Sequence, residues 1–319
     1  MVLMNLKPAL AAAAALSLAA CGSTAATSST DAEDNGPDVV VAFYPLEWAS
    51  TQVMGDIGSV STLTAPGVEP HDLELTPKQV ASLADADLVI YLSDFQSAVD
   101  DAIEQSGATN VLDVAQYVDL LTPVEDHDHE ADEHEEEATE DEHDHGDFDP
   151  HFWQDPTRMQ KVVAAISDAL AEVDADDAAT FQANAETASE DLGKIDDEFT
   201  TGLADCAISE FITTHEAFGY LADRYDLTQI GISGISPDEE PSPARIAAIQ
   251  EEATEHNITT IFFETLSSDA VASSIASDLG LKTAVLDPLE GVTEKSPGTD
   301  YPSIMRANLE ALRTANGCS

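Results

Sequence analysis

The sequence predicts an α/β protein of two lobes, each a parallel sheet flanked by helices, joined by one long rigid helix. Short β-branched apolar runs alternate with segments that carry helix start and stop signals, which is the pattern of a parallel sheet. That alternation occurs in both halves of the 319-residue chain. Between the halves, a stretch from about Asp176 to Leu203 is rich in Ala, Asp and Glu and contains no proline.

In the first half, Val39–Tyr44 (VVVAFY) reads as a buried strand, Leu46–Met54 as a helix, and Ser59–Thr64 as a second strand. Thr76 caps a helix that runs through Ala86, with Pro77 at its first position, where proline's missing N–H costs nothing. Asp87–Leu92 (DLVIYL) is a third strand, Phe95–Gln105 a helix, and Asn110–Asp113 opens a fourth strand. Thr157–Val173 and Asp176–Leu203 are helix-forming, and the second would span roughly 40 Å at 1.5 Å per residue. A continuous helix resists bending, so loop rearrangement is expected in preference to a large hinge closure. In the second half, Glu210–Thr214, Thr228–Ile232, Ile258–Phe263 and Thr283–Leu286 read as strands. Glu216–Tyr225, Ser242–His256, Asp269–Leu279 and Tyr301–Ala315 are the helices. The expected layout is lobes at 38–155 and 205–319 with a helical linker at 156–204.

Formal charge is −52, from 63 acids against 11 bases. No nucleic-acid partner is expected, since phosphate binding needs clustered Lys and Arg. The acids run along the whole chain, as suits a protein kept soluble in high salt by surface carboxylates. Such a surface is repelled by anionic membranes, so membrane attachment needs another device.

Residues 1–21 read as a targeting segment: Lys7 is a weak positive start, and Ala9–Ala20 is apolar but too short to span a bilayer. Leu18-Ala19-Ala20-Cys21 resembles the lipobox of bacterial lipoproteins, which implies cleavage before Cys21 and a lipid anchor on its thiol. An ordinary secretory signal is the alternative. Residues 22–37, rich in Ser, Thr, Ala, Asp and Gly, read as a flexible tether. An exported chain meets oxidising surroundings, so Cys206 and Cys318 are expected to pair, with two free buried thiols as the alternative. The loop closed would be about 113 residues, worth roughly 4–5 kcal/mol in the chain-entropy model.

Three isolated histidines carry the chemistry. His71 lies in a loop after the second strand, His151 in a loop bracketed by prolines (DFDPHFWQDP), and His215 at the end of the fifth strand. Asp287 ends the last strand, in LDPLEG. All four lie at or beside the carboxyl ends of strands, where open α/β sheets bind ligands, two in each half. Three imidazoles and a carboxylate suit tetrahedral Zn²⁺. Taken singly, each histidine is as well explained as a surface or hydrogen-bonded residue, and an Asp before Pro is an ordinary turn former.

Taken together and in order, EPHDLEL, DPHFWQDP, THEAFGYLADRY and LDPLEG resemble the solute-binding proteins of zinc and manganese ABC importers, the cluster A-I or zinc-uptake lipoprotein type. The resemblance covers essentially residues 38–318. It implies a non-catalytic protein that captures Zn²⁺ in an interlobe cleft, on the outer face of the cytoplasmic membrane, and delivers it to an ABC permease, working as a monomer. It also implies metal-binding roles for His71, His151, His215 and Asp287. Manganese-selective members carry Glu at the third position, where this chain has His215. Nitrogen favours Zn²⁺ over the harder Mn²⁺. Some zinc members have Glu immediately before the first histidine, but Pro70 stands there, so Asp287 or a water is the expected fourth ligand. Glu264, in FFETLSS, is a candidate to hold a histidine N–H.

Glu125–Asp147 holds five histidines among acids and no apolar periodicity, and is expected to be disordered. Zinc members of the resembling family often carry such a loop. His127, His129, His143 and His145 form two His-Asp-His pairs that suit one weaker metal ion, in an accessory role. Two other classes remain open. A zinc hydrolase would use Glu216 or Glu264 as base, though the chain has no HExxH and no GxSxG. A surface metal buffer or adhesion protein would act mainly through the acidic run.

Overall fold

A computed structural model describes residues 36–122, 148–237 and 241–319. The expectations for Cys21, for the tether up to residue 35 and for His127, His129, His143 and His145 lie outside those residues. Asn35–Ser319 forms one compact unit.

The first sheet is made of β1 (Asp38–Val41), β2 (Ser59–Thr62), β3 (Leu88–Tyr91) and β4 (Val111–Asp113). The second is made of β5 (Glu210–Thr213), β6 (Thr228–Gly231), β7 (Thr260–Phe263) and β8 (Lys282–Val285). All pairings are parallel, in the orders β2-β1-β3-β4 and β6-β5-β7-β8. Each sheet therefore starts in an inner strand, steps outward, then crosses back. That puts a topological switch point beyond the ends of β1 and β3 in one sheet and of β5 and β7 in the other, where side chains can converge on a ligand. The inner strands are buried on both faces, which is why they read as unbroken β-branched runs.

The helices are α1 (Tyr44–Met54), α2 (Pro77–Asp85), α3 (Ser97–Ser106), α4 (Pro156–Val173), α5 (Ala178–Leu203), α6 (Gly219–Arg224), α7 (Pro243–Glu255), α8 (Ala270–Leu279) and α9 (Tyr301–Asn316). Their starts follow local chemistry. Thr76 and Gln79 form a capping box on α2, the Asp155 carboxylate accepts from Thr157 N–H on α4, and Ser242 and Asp300 cap α7 and α9. One difference from expectation is instructive. The helix after β5 begins at Gly219, not Glu216. The N–H of Glu216 donates to Gly234 O at 2.9 Å and that of Phe218 to Gln229 Oε1 at 3.0 Å, so both groups are spent shaping the turn that follows His215.

The 26-residue α5 buries one stripe, Phe181, Ala185, Ala188, Leu192, Ile195, Phe199 and Leu203, spaced by three and four residues. It packs into a single core that runs from Val39 on β1 to Leu312 on α9. Trp48 of α1 stacks on Tyr301 of α9 at 4.6 Å between ring centroids, tying the two halves directly. In β5 the pleat sends Phe211 into this core and Ile212 into a smaller cluster under α7 and α8. Cys206 and Cys318 are disulfide-bonded, as expected. Among the described residues no helix is long and apolar enough to cross a membrane.

Candidate metal centre

Each of the three histidines is delivered by a loop whose shape is fixed by neighbours. His71 follows Pro70, whose carbonyl accepts from Gln96 Nε2 at 2.9 Å; its own N–H donates to Glu69 Oε1 at 3.3 Å, and its ring stands edge-on to Phe95 at 4.9 Å. His151 opens a 3-10 turn, Phe152–Gln154. Its backbone N–H and its Nδ1 both meet Asp149 Oδ1, at 2.9 and 2.7 Å. His215 follows β5, and its carbonyl accepts from Thr213 Oγ1 at 2.7 Å and Gln229 Nε2 at 3.0 Å. Its Nδ1 meets Glu264 Oε1 at 2.5 Å. Glu264 follows β7, so this pair spans the switch point of the second sheet. In both pairs the carboxylate meets Nδ1, which leaves Nε2 as the ring nitrogen aimed away from it, the arrangement by which a carboxylate orients an imidazole for a metal.

The three Nε2 atoms point to one place, and the fourth group there is Glu290. His71 Nε2 lies 3.3 Å from His151 Nε2 and 3.3 Å from Glu290 Oε1; Oε1 is also 3.0 Å from His151 Nε2 and 3.4 Å from His215 Nε2. All four ligand atoms lie within 4.8 Å of one another. A tetrahedron with bonds of 2.0–2.1 Å has edges of about 3.3 Å, and the four separations of 3.0–3.4 Å match that edge. Glu290 Oε2 is buried with no hydrogen-bond partner among the described residues, which suits a carboxylate turned toward a cation. Exposures of 8, 0, 1 and 1 % for His71, His151, His215 and Glu290 mean that an ion held here leaves water almost completely.

Asp287 is not part of this cluster. Its Oδ1 accepts from Leu289 N–H at 2.9 Å and its Oδ2 from Thr265 Oγ1 at 3.1 Å. Asn308 clamps its backbone, accepting from Asp287 N–H at 2.9 Å and donating to its carbonyl at 2.7 Å. The carboxylate is therefore used as a turn former, the ordinary role of Asp before Pro. Leu289 takes φ 65°, a left-handed conformation rare for a branched apolar residue, and the chain reverses to bring Glu290 inward. Pro288 O accepts from Trp153 Nε1 at 2.7 Å and Gln154 Nε2 at 2.5 Å, which fastens this turn to the His151 loop. The fourth converging group is thus the Glu of LDPLEG and not its Asp. The sequence cue was an acidic residue just past an Asx-Pro turn at a strand end.

Burial and charge pull the groups apart. Burial holds His71 below the usual histidine value, more than its contact with Glu290 raises it. Burial also pulls on His151 and His215, but Asp149 and Glu290 outweigh it for the first, and Glu264 and Glu290 for the second, which stands well above the usual range. Burial raises Glu290, yet the imidazoles around it hold it well below the carboxylate range. Glu69, buried beside Glu290's charge, is pushed up to about 9.

The family model for ZnuA, the periplasmic component A of the zinc-uptake complex, matches residues 39–315. The chain is 39 % identical over 283 residues to the zinc-binding protein AdcA of Streptococcus pyogenes, covering 86 % of this chain and 55 % of that relative. The chain thus spans about half the length of the curated relatives it matches first. With the high-affinity zinc uptake system protein ZnuA of Bacillus subtilis it shares 38 % identity over 307 residues, covering 95 % of this chain and 94 % of the relative. The crystal structure of Zn(II)-bound AdcA from Streptococcus pneumoniae superposes with a TM-score of 0.72 at 34 % identity, covering 88 % of this chain and 58 % of that one.

Proposed function

The chain belongs to the family of the zinc-uptake complex component A, and on that basis we propose that it captures Zn²⁺ outside the cytoplasmic membrane and delivers it to an ABC permease. His71, His151, His215 and Glu290 are the ligands. The observation that carries this reading is the convergence of their four ligand atoms, all within 4.8 Å of one another, with four separations of 3.0 to 3.4 Å. The protein's work is binding, with no reaction catalysed. Its neutral imidazoles and single carboxylate offset part of the ion's charge and favour Zn²⁺ over Mn²⁺. Attachment through a lipid on Cys21 and action as a monomer complete the proposal, with residues 125–147 as an accessory metal-capturing segment.

A competitive titration of Zn²⁺ against Mn²⁺ tests it, on intact chain and on chain lacking 125–147, with bound metal counted by native mass spectrometry. One tight Zn²⁺ per chain is expected in both. Undiminished tight binding by the His71→Ala, His215→Ala double variant of the loop-deleted chain would overturn the assigned site.

A further inference from the structure

Gly219 opens α6, and its φ is not left-handed, so its backbone does not require glycine. Nor does a helix call for one, since alanine is the better helix former. What glycine supplies here is space. A Cβ built on it would lie 2.6 Å from Asp149 Oδ2, well inside contact distance. Asp149 is the residue whose Oδ1 accepts from the backbone N–H of His151 at 2.9 Å and meets its Nδ1 at 2.7 Å. The backbone on both sides of this contact is pinned. Tyr220, the next residue of α6, is fully buried; its hydroxyl donates to Asp149 O at 2.6 Å and accepts from Leu121 N–H at 2.8 Å. Phe218, the residue before, donates its N–H to Gln229 Oε1 at 3.0 Å, and Gln229 Nε2 donates to Thr213 Oγ1 at 2.8 Å and His215 O at 3.0 Å. With the backbone held, the group that yields to an added methyl is the Asp149 carboxylate. A cavity of about 590 Å³ has both Asp149 and Gly219 in its walls, which gives the carboxylate room to swing. The swing takes Oδ1 off the His151 ring.

We propose that Gly219 is a positioning residue for His151: its missing side chain lets the Asp149 carboxylate sit against the start of α6, where it aims the imidazole at the ion. The proposal rests on the zinc-binding reading above. Tyr220 serves the same end by holding the Asp149 carbonyl. The support crosses the chain, because α6 follows His215 and β5, whereas Asp149 and His151 precede α4. Phe218–Tyr220 therefore backs two ligands at once, His215 through Gln229 and His151 through Asp149. A residue that touches no ligand thus sets the direction of one.

Chelator-competition titration of Zn²⁺ on the full chain tests this. Gly219→Ala should weaken binding about tenfold, as disturbing a carboxylate behind a ligating histidine does, while the melting temperature of the metal-free chain holds or rises. Gly193→Ala, on α5, where an added Cβ meets nothing closer than Gln160 Nε2 at 3.4 Å, should leave affinity unchanged. In an Asp149→Ala background, Gly219→Ala should change Kd by less than about twofold, because no carboxylate is left to displace. Tyr220→Phe, which loosens Asp149 without crowding it, should cost about threefold, the worth of one hydrogen bond. Proton NMR of the Zn²⁺-loaded chain supplies a direct signature. The downfield Nδ1–H resonance of His151, identified by its loss in Asp149→Ala, should shift in both Gly219→Ala and Tyr220→Phe. Unchanged affinity in Gly219→Ala, an equal loss in the Asp149→Ala background, or a resonance that stays in place would each overturn the proposal and leave the histidine cluster standing. If the wild-type chain bound no Zn²⁺, the functional reading would fail instead.

Discussion

His151 and His215 reach the cluster by one method and His71 by another. The first two are gripped from behind by carboxylates, Asp149 at 2.7 Å and Glu264 at 2.5 Å from Nδ1. His71 is seated edge-on against Phe95, in a loop fastened by Gln96. The electrostatic result differs accordingly, with His151 and His215 held above the usual histidine value and His71 below it. Burial thus favours the neutral form of His71, while the carboxylates favour the protonated form of the gripped pair, against which a metal must compete. The comparison separates two tasks: carboxylates fix direction and raise basicity, whereas an aromatic seat fixes position at less electrostatic cost.

The largest effect should come from removing ligands. Structural zinc sites bind with about 10–16 kcal/mol in total, so one of four ligands is worth about 2.5–4 kcal/mol, or roughly fifty- to a thousandfold in Kd. His71→Ala, His151→Ala, His215→Ala and Glu290→Ala should all fall in this range in a chelator-competition titration. Asp287→Ala should cost clearly less, because it loosens the turn that aims Glu290 without deleting a ligand. If Asp287→Ala proved as damaging as Glu290→Ala while Asp287→Asn was benign, the turn and not the charge would be the explanation. If Glu290→Ala left affinity intact, the cluster assigned here would be wrong.

Next in size are the carboxylates behind the rings. Changing such a partner usually costs ten- to a hundredfold in metal affinity. Glu264→Gln and Asp149→Asn should lie in that window, with the larger loss for Glu264, whose histidine shows the larger upward shift. Equal Kd values for these variants and the wild type would remove the distinction between gripped and seated histidines.

The same contrast sets the pH dependence. Zn²⁺ takes only the neutral imidazole, so a histidine whose value is raised competes through its proton. Below that raised value protons win and affinity falls; as pH climbs toward and through it, affinity rises and then levels. Calorimetry in buffers of different ionisation enthalpy should show protons released on Zn²⁺ binding at neutral pH. Glu264→Gln should release fewer, because its His215 no longer holds the proton. A proton count that stayed the same would show that His215 is already neutral in the metal-free protein.

Much of this was legible in the chain. The β-branched runs marked the inner strands because parallel sheets bury both faces. Thr76, Ser242 and the proline-free stretch before Leu203 marked helix ends and the long α5. The placement of His71, His151 and His215 beyond strand ends followed from fold class. What escaped was the fourth group, because Asp287 and Glu290 are both acids in one short turn. The left-handed conformation of Leu289, with the contacts that hold Asp287 in its turn, goes with Glu290 facing inward. Backbone conformation at a branched residue has no sequence signal of its own. Asp149, two residues before His151, was in plain view within DFDPH, but its grip depends on a bend that proline alone does not specify.

The smallest predicted effect is the sharpest test of the seat beneath His71. Phe95 also packs on Phe43 at 5.2 Å and Trp153 at 6.0 Å, so it is one tile of an aromatic floor. Phe95→Leu keeps an apolar surface and removes the edge contact, a geometry worth about 0.5–1.5 kcal/mol beyond area burial. That sum is shared among three neighbours, so Zn²⁺ affinity should fall by no more than about threefold while the melting temperature drops measurably. A loss confined to stability would show that the floor supports the fold and leaves His71's aim to its loop. A loss as large as that of Glu264→Gln would mean that the aromatic seat directs His71 as firmly as a carboxylate directs His215, and the two methods would then be equivalent in strength.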